Sequence, residues 1–437
     1  MIRVFLVGAL LALPASAFAS GKFFADIYAP VNNKFSRPLT QATANLWLDF
    51  NHQIANGESP YSIRGIWQST IFEGNNSVVT GKYEPTHYEG DFREGYLSYL
   101  NGGFEFRAGN LIVPWGKSDG LNPTDYLSAR DYRHFSPDSE VQRKPGSGFW
   151  ASWTPETATS WNFTAALIPY FAEGQFVLAP GVVPANVAIS EAEHPGISSS
   201  SLEGAVKAAY TGDRWDISVN AYNGFNHYPE FQEEARTIFT PVDVRLRLKE
   251  MFRRQSAAGG DFSWSGDTWI YRAEAAYFWT ENQEGANMMS VPSHYFAVVG
   301  FERPFWDNFR MQVQYAHKYF PAYRPIDEMT GASPVDAAVK QQIARTNAML
   351  FQYQERDQGT VTFRVSYAKE SSGWDAEIFF MENLRGQDFL VRPKTSYAWS
   401  DNLRYTLGAD IYGGPGHRTL GAMSAFNSVF AEAKYSF

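Results

Sequence analysis

The residues whose types and spacing could do chemistry lie on one run, Arg107 to Tyr132. They are Arg107, Trp115, Lys117, Asp119, Asp125, Arg130 and Asp131. Between Lys117 and Lys144 the chain carries five basic and five acidic residues. A balanced set of this kind can pair within a folded segment and present both signs of charge to a passing solute, which is recognition without bond making. Bond-making chemistry has little to work with. There is no cysteine, hence no thiolate nucleophile, disulfide, zinc–thiolate site or Cys-x-x-Cys-His haem attachment. His52, His87, His134, His194, His227, His294, His317 and His417 are scattered, and none falls in a triad or metal-ligand spacing. The expectation is therefore no catalytic residues, no metal, no cofactor and no enzyme.

What must position the charged run is read from the carboxy terminus. Counting back from Phe437, the residues Tyr435, Ala433, Ala431 and Val429 are apolar, while Ser436, Lys434 and Glu432 between them are polar. That is the period of a strand whose two faces meet different surroundings. An amphipathic strand of a soluble sandwich would also alternate, but here an aromatic terminus falls in phase, as in the closing strand and assembly signal of an outer-membrane barrel. The amino terminus agrees with export. Arg3, the apolar run Val4 to Leu13 and Ala17-Phe18-Ala19 form a secretory signal, residues 1–19, with the mature chain 20–437 beginning at Ser20. No later apolar run reaches the roughly 20 residues of a spanning helix. The chain has 34 Phe, 24 Tyr and 13 Trp at a mean hydropathy of −0.34, which suits aromatic girdles around a wet interior better than a large soluble core. A net charge of −9 argues against a general nucleic-acid surface.

The alternation recurs along the whole chain, from a weak first strand at Lys22 to Tyr28 through Asn45–His52, Tyr61–Thr70 and Phe92–Leu100 to Val429–Phe437. Asn101-Gly102-Gly103 marks a tight hairpin. Polar loops include one around Gly74-Asn75-Asn76, a Pro- and Ser-rich one from Pro169 to Ser200, and one reaching about Arg253. Gaps alternate long and short back to the amino terminus, and the tally is about 18 strands, even as a bacterial barrel requires. The fold class is all-β: a single transmembrane antiparallel up-and-down β-barrel with long outer loops. Strand phase puts Arg64, Arg272, Glu274, Arg310, Arg364 and Arg404 on the lumen wall. With Lys207, Arg392, Glu105, Glu203, Asp375, Glu377, Asp410 and Glu432 they make the signs nearly balanced, so part of the set is expected to form a wall-to-wall ion-pair lattice. In the longest insertion, Ser333-Pro334-Val335-Asp336 with Val339 and Ile343 predicts a helix over 334–347, decorating the outer side or folded into the mouth.

The run from Arg107 leaves its strand at Pro114, and Asn122-Pro123-Thr124-Asp125 reads as a helix start. An Arg-x-Gly strand running into Trp115-Gly116, then Asn-Pro-x-Asp and Arg130-Asp131-Tyr132, resembles a group of proteobacterial porin-like barrels of mostly unassigned substrate, similar in layout to alginate-export-type barrels. The resemblance is specific over Arg107 to Tyr132 and architectural elsewhere. It implies an outer-membrane, channel-like barrel whose loop 111–146 folds inward. Trp115, Lys117, Asp119, Asp125, Arg130 and Asp131 would then lie near a constriction, or the loop is a latch to the inner wall. The expected function is passive or facilitated passage of a small polar or weakly amphipathic solute. The expected partners are outer-membrane lipid, the solute, and the barrel assembly machinery through Phe437, with no nucleic acid. A second class is a sleeve for a protein partner, an export machine or a periplasmic electron-transfer cytochrome. An outer-membrane enzyme is disfavoured by the scattered histidines, and a plugged, energised transporter by the lack of room for a plug before Asn45.

Overall fold

A computed structural model of the protein describes residues 18–31, 41–53, 60–73, 86–133, 136, 140–176, 186–190, 192–196, 198, 201–240 and 243–437. Most of the expected signal peptide and the loop around Asn75 lie outside the described residues. Eighteen strands join in one sheet, each antiparallel to its neighbours. The first, Phe18–Pro30, pairs with both Gln41–Gln53 and the last strand, Ser428–Ser436, so the sheet closes into a barrel with no free edge. Closure satisfies every ladder internally, which is what a hydrocarbon surrounding demands. The carboxy-terminal Phe437 exchanges backbone hydrogen bonds with Gly21 (2.7 and 2.9 Å), extending that seam to the end of the chain.

The eighteen strands are those that the alternation predicts, and most of them run further at their ends. Lys22–Tyr28 becomes Phe18–Pro30, and His294–Phe301 becomes His294–Phe305. Backbone pairing continues past the residues whose side chains carry the pattern. On the last strand Val429 and Tyr435 are 51 % and 44 % exposed and face outward, while Glu432 at 8 % faces in. Outward aliphatic and aromatic side chains match lipid, and inward polar ones match a hydrated lumen.

Three sequence readings need correction. The stretch up to Arg253 is not a plain loop. Glu230–Thr240 and Asp243–Met251 form a hairpin, and Val187–Ile189, inside the Pro- and Ser-rich stretch, adds to it in parallel. Val244, Leu246 and Leu248 alternate there with Arg245, Arg247 and Lys249, the same period-two signal as the barrel strands. The helix is a turn longer than expected, Pro334–Phe351, with the Ser333 hydroxyl accepting from the Asp336 N–H. It buries Ile343 against Phe231, Leu246 and Leu248, each worth about 1.5–3 kcal/mol of apolar burial. Asn347, fully buried, bonds both the N–H and the carbonyl of Phe231 and the carbonyl of Met289, tying the helix to two other insertions. Finally, Asn122-Pro-Thr-Asp125 starts no helix. It is a turn closed by Asp125 N–H on the Asn122 carbonyl (3.3 Å), because the side chains that would cap a helix are engaged elsewhere.

Candidate functional site

The charged run begins on Phe104–Leu111, the fifth barrel strand, whose Gly109 takes φ +144. A Cβ there would lie 2.1 Å from the Gly95 carbonyl oxygen, so the Arg-x-Gly pattern reflects a close approach of two backbones. Among the described residues from Ile112 to Pro145 there is no helix and no strand of the sheet. It folds through its own charges first. Asp125, nearly buried, accepts from the Trp115 N–H (3.4 Å), Arg143 (2.8 Å) and Arg130 (3.3 Å). Asp131 pairs with Arg133 at 2.7 Å and its N–H donates to the Gln142 carbonyl. Asp125, Arg130 and Asp131 therefore build the base of the segment.

The segment then docks on wall after wall. Trp115 and Tyr126 enter a buried cluster with Leu127, Ile168 and Tyr222, and Tyr126 stacks on Tyr222 at 5.6 Å and donates to Asn220 (2.9 Å). Val141 packs with Phe24 and Trp47 on the first two strands, where Arg93 donates to the carbonyls of Glu140, Val141 and Arg143. The tip reaches further. Lys117 Nζ is 3.4 Å from Asp216, and the Lys117 and Ser118 N–H groups both donate to Glu274. Asp119 ion-pairs with Arg364 on Asp357–Lys369, the fourteenth barrel strand. That is half-way round an 18-stranded ring from the strand the segment left. Gln314 on the adjacent strand, with its amide oriented by this network, donates to the Asp119 carbonyl (2.8 Å) and accepts from its N–H (2.9 Å).

Beside this tip lies a polar cavity of about 420 Å³ lined by Lys117, Ser118, Asp119, Arg272, Glu302, Arg310, Gln312, Arg364, Ser366 and Glu377. Six of the residues singled out from sequence meet here: Lys117, Asp119, Arg272, Arg310, Arg364 and Glu377. Glu302 accepts from two guanidinium groups, Arg272 at 2.7 Å and Arg310 at 3.2 Å, and the Arg310 side chain stays 64 % exposed. Arg364 also approaches Glu377 at 3.8 Å, which Lys394 shares at 3.2 Å. Among the described residues, Ser118 Oγ and Arg364 Nε are buried without a hydrogen-bond partner. Ion pairs as exposed as these contribute at most about 1 kcal/mol each to stability, so their weight is in the field they set up.

The other predicted positions are not gathered in. Arg107 pairs with Glu105 on its own strand (2.7 Å) and lies over the rings of Tyr96 and Trp150. Arg64 pairs with Asp49 (3.2 Å) and Arg404 with Asp375, away from the tip. Conversely, Glu302 and Gln314 escaped the sequence reading. Glu302 lies just past the expected strand end at Phe301. Gln314 carries no charge, and only its even spacing from Arg310 on one strand marks it as inward.

No protein-family model matches the chain, and no curated protein matches it. Solved structures do. OccAB1 of Acinetobacter baumannii superposes with a TM-score of 0.55 at 7 % identity, covering 96 % of this chain and 95 % of that one. The outer membrane protein OpdK of Pseudomonas aeruginosa gives 0.53 at 10 % identity, with 96 % and 98 % covered. OpdK solved with vanillate gives 0.51 at 9 % identity, again with 96 % and 98 % covered. At such identities the likeness is one of fold: a closed β-barrel like that of these proteins.

Proposed function

We propose that this protein is an outer-membrane channel through which a small polar solute diffuses, with the segment 111–146 folded into the lumen as its constriction. The observation that supports this is the crossing from the fifth strand to the fourteenth, which leaves a charged cavity at its tip. A hydrated pore narrowed by a folded segment discriminates by size and charge without chemistry. The same crossing speaks against a sleeve for a protein partner, since a threaded protein would have to displace Trp115, Tyr126 and the Asp119–Arg364 pair together. On the Arg107–Tyr132 motif we group the chain with porin-like barrels that share it.

The solute class follows from the imbalance around Glu302. Two guanidinium groups share that carboxylate, and the exposed Arg310 faces the cavity, so a small anion, such as an organic acid, is favoured over a cation. Deletion of Lys117 to Lys144 tests the constriction in planar bilayers: single-channel conductance should rise several-fold, and an unchanged trace would reduce the segment to a latch. Reversal potentials in a salt gradient, with and without vanillate as a competing anion, test the charge preference. Arg310→Glu should shift them toward cations.

A further inference from the structure

One buried carboxylate takes three hydrogen bonds from the tip of the crossing segment. Glu274, on the eleventh barrel strand Ile270–Thr280, is 2 % exposed. Its Oε1 accepts the N–H groups of Lys117 and Ser118, and its Oε2 accepts the Thr124 hydroxyl at 3.1 Å. Among the described residues it makes no ion pair, since Arg272, two residues along the strand, is turned to Glu302. A carboxylate taken out of water is costly unless other donors replace that water, and here all three come from the segment. Two successive backbone N–H groups aimed at one oxygen form a small anion cradle.

The segment's own sequence is shaped to admit this carboxylate. Gly116 takes φ +102, and a Cβ at that position would meet the two Glu274 oxygens at 2.8 and 2.9 Å and Asn122 Nδ2 at 2.8 Å. Any side chain there would both strain the backbone and push the carboxylate out. Asn122 in turn donates to the Ser118 carbonyl (2.8 Å), closing the tip around its cradle. The peg and the socket thus come from residues about 150 positions apart in sequence, as the spacing of Thr124 and Glu274 records.

We infer that Glu274 is the positioning residue of the constriction, and that through it the crossing segment behaves as a fixed beam and not as a gate. The inference rests on the segment's being the constriction, so its test separates the two claims. The chain has no cysteine, so Ser118→Cys supplies a single thiol at a position that is 8 % exposed. In purified barrels whose folding is verified by heat-modifiable migration, that thiol should react slowly with a methanethiosulfonate reagent. Adding Glu274→Ala should speed labelling at least tenfold and raise conductance with excess open-channel noise. Glu274→Gln, which keeps an acceptor oxygen, should give a smaller increase. If Glu274→Ala does not fold, Gly116→Ala displaces the carboxylate without removing it and should show the same fast labelling. Labelling that stays slow in the folded variants would overturn the assignment. Fast labelling with unchanged conductance would keep Glu274 as the peg and overturn the constriction.

Discussion

The segment from Ile112 to Pro145 and the insertion carrying the helix Pro334–Phe351 leave the same ring on the same side, each between an odd-numbered strand and the next. They reach order by different means. The helix insertion is ordered by a local pattern: a capping Ser333, Pro334 at the first turn, and apolar residues at helical spacing that bury against a neighbouring hairpin. The crossing segment has no repeat at all. Its tip is fixed by side chains of distant strands, Glu274 and Gln314 on its main chain and Arg364 on the Asp119 carboxylate, and by two aromatic residues let into the wall. A locally coded element can change its partners and remain a helix. The base of the crossing segment has its own internal pairs, but its tip is held by remote partners and has no fixed place without them.

The largest effect that would break this contrast comes from Trp115→Ala. Removing a buried aromatic from the wall cluster should cost the segment about 3–5 kcal/mol, read as lost hydrogen-exchange protection between Ile112 and Pro145 while the helix keeps its own. Asn347→Ala should act oppositely. It leaves the Phe231 N–H and two carbonyls without their partner, at about 2–3 kcal/mol, and should expose the hairpin Glu230–Thr240/Asp243–Met251 to protease without changing single-channel conductance. Ser333→Ala removes a cap worth about 1 kcal/mol and should fray only the first helical turn. Equal loss of protection along the whole helix would show that it, too, depends on remote contacts. A double-mutant cycle on Asp119 and Arg364 should give a coupling of less than about 1 kcal/mol, although each single change alters ion selectivity.

The smallest effect is a pH dependence on the outer side. His227, just beyond the strand Trp215–Phe225, is buried with its Nε2 3.2 Å from Glu203 and its Nδ1 2.8 Å from the Ala172 carbonyl. Burial opposes its charging, but the Glu203 carboxylate and these hydrogen bonds outweigh it and hold its pKa above the ordinary value. A group raised in the folded state stabilises fully below its unfolded pKa of about 6.5, and the gain is lost as pH rises through the folded value. Proteolysis near Phe171 should therefore accelerate on the alkaline side, and His227→Gln should flatten that profile. Acceleration on the acid side would contradict the sign.

Much of the barrel was legible because its code is local. Each strand faces lipid on one side and water on the other, so every second residue declares its side without reference to any other strand. The same rule marked Arg272, Arg310 and Arg364 as lumen residues, and the turn-rich run with paired charges marked Lys117 and Asp119 as unusual. The rule stops where pairing is non-local. Nothing in the spacing of Asn122-Pro-Thr-Asp125 says that Thr124 will bond Glu274 and Asp125 will hold Trp115 and Arg143 rather than cap a helix. The neutral Gln314 and the strand-end Glu302 gave no signal, and the hairpin after Glu230 was hidden among loops although its alternation was present. The sequence by itself determined a closed, two-faced ring and the charges inside it. Only the tertiary structure decided which wall the crossing segment meets, because that depends on the curvature and stagger of eighteen strands taken together.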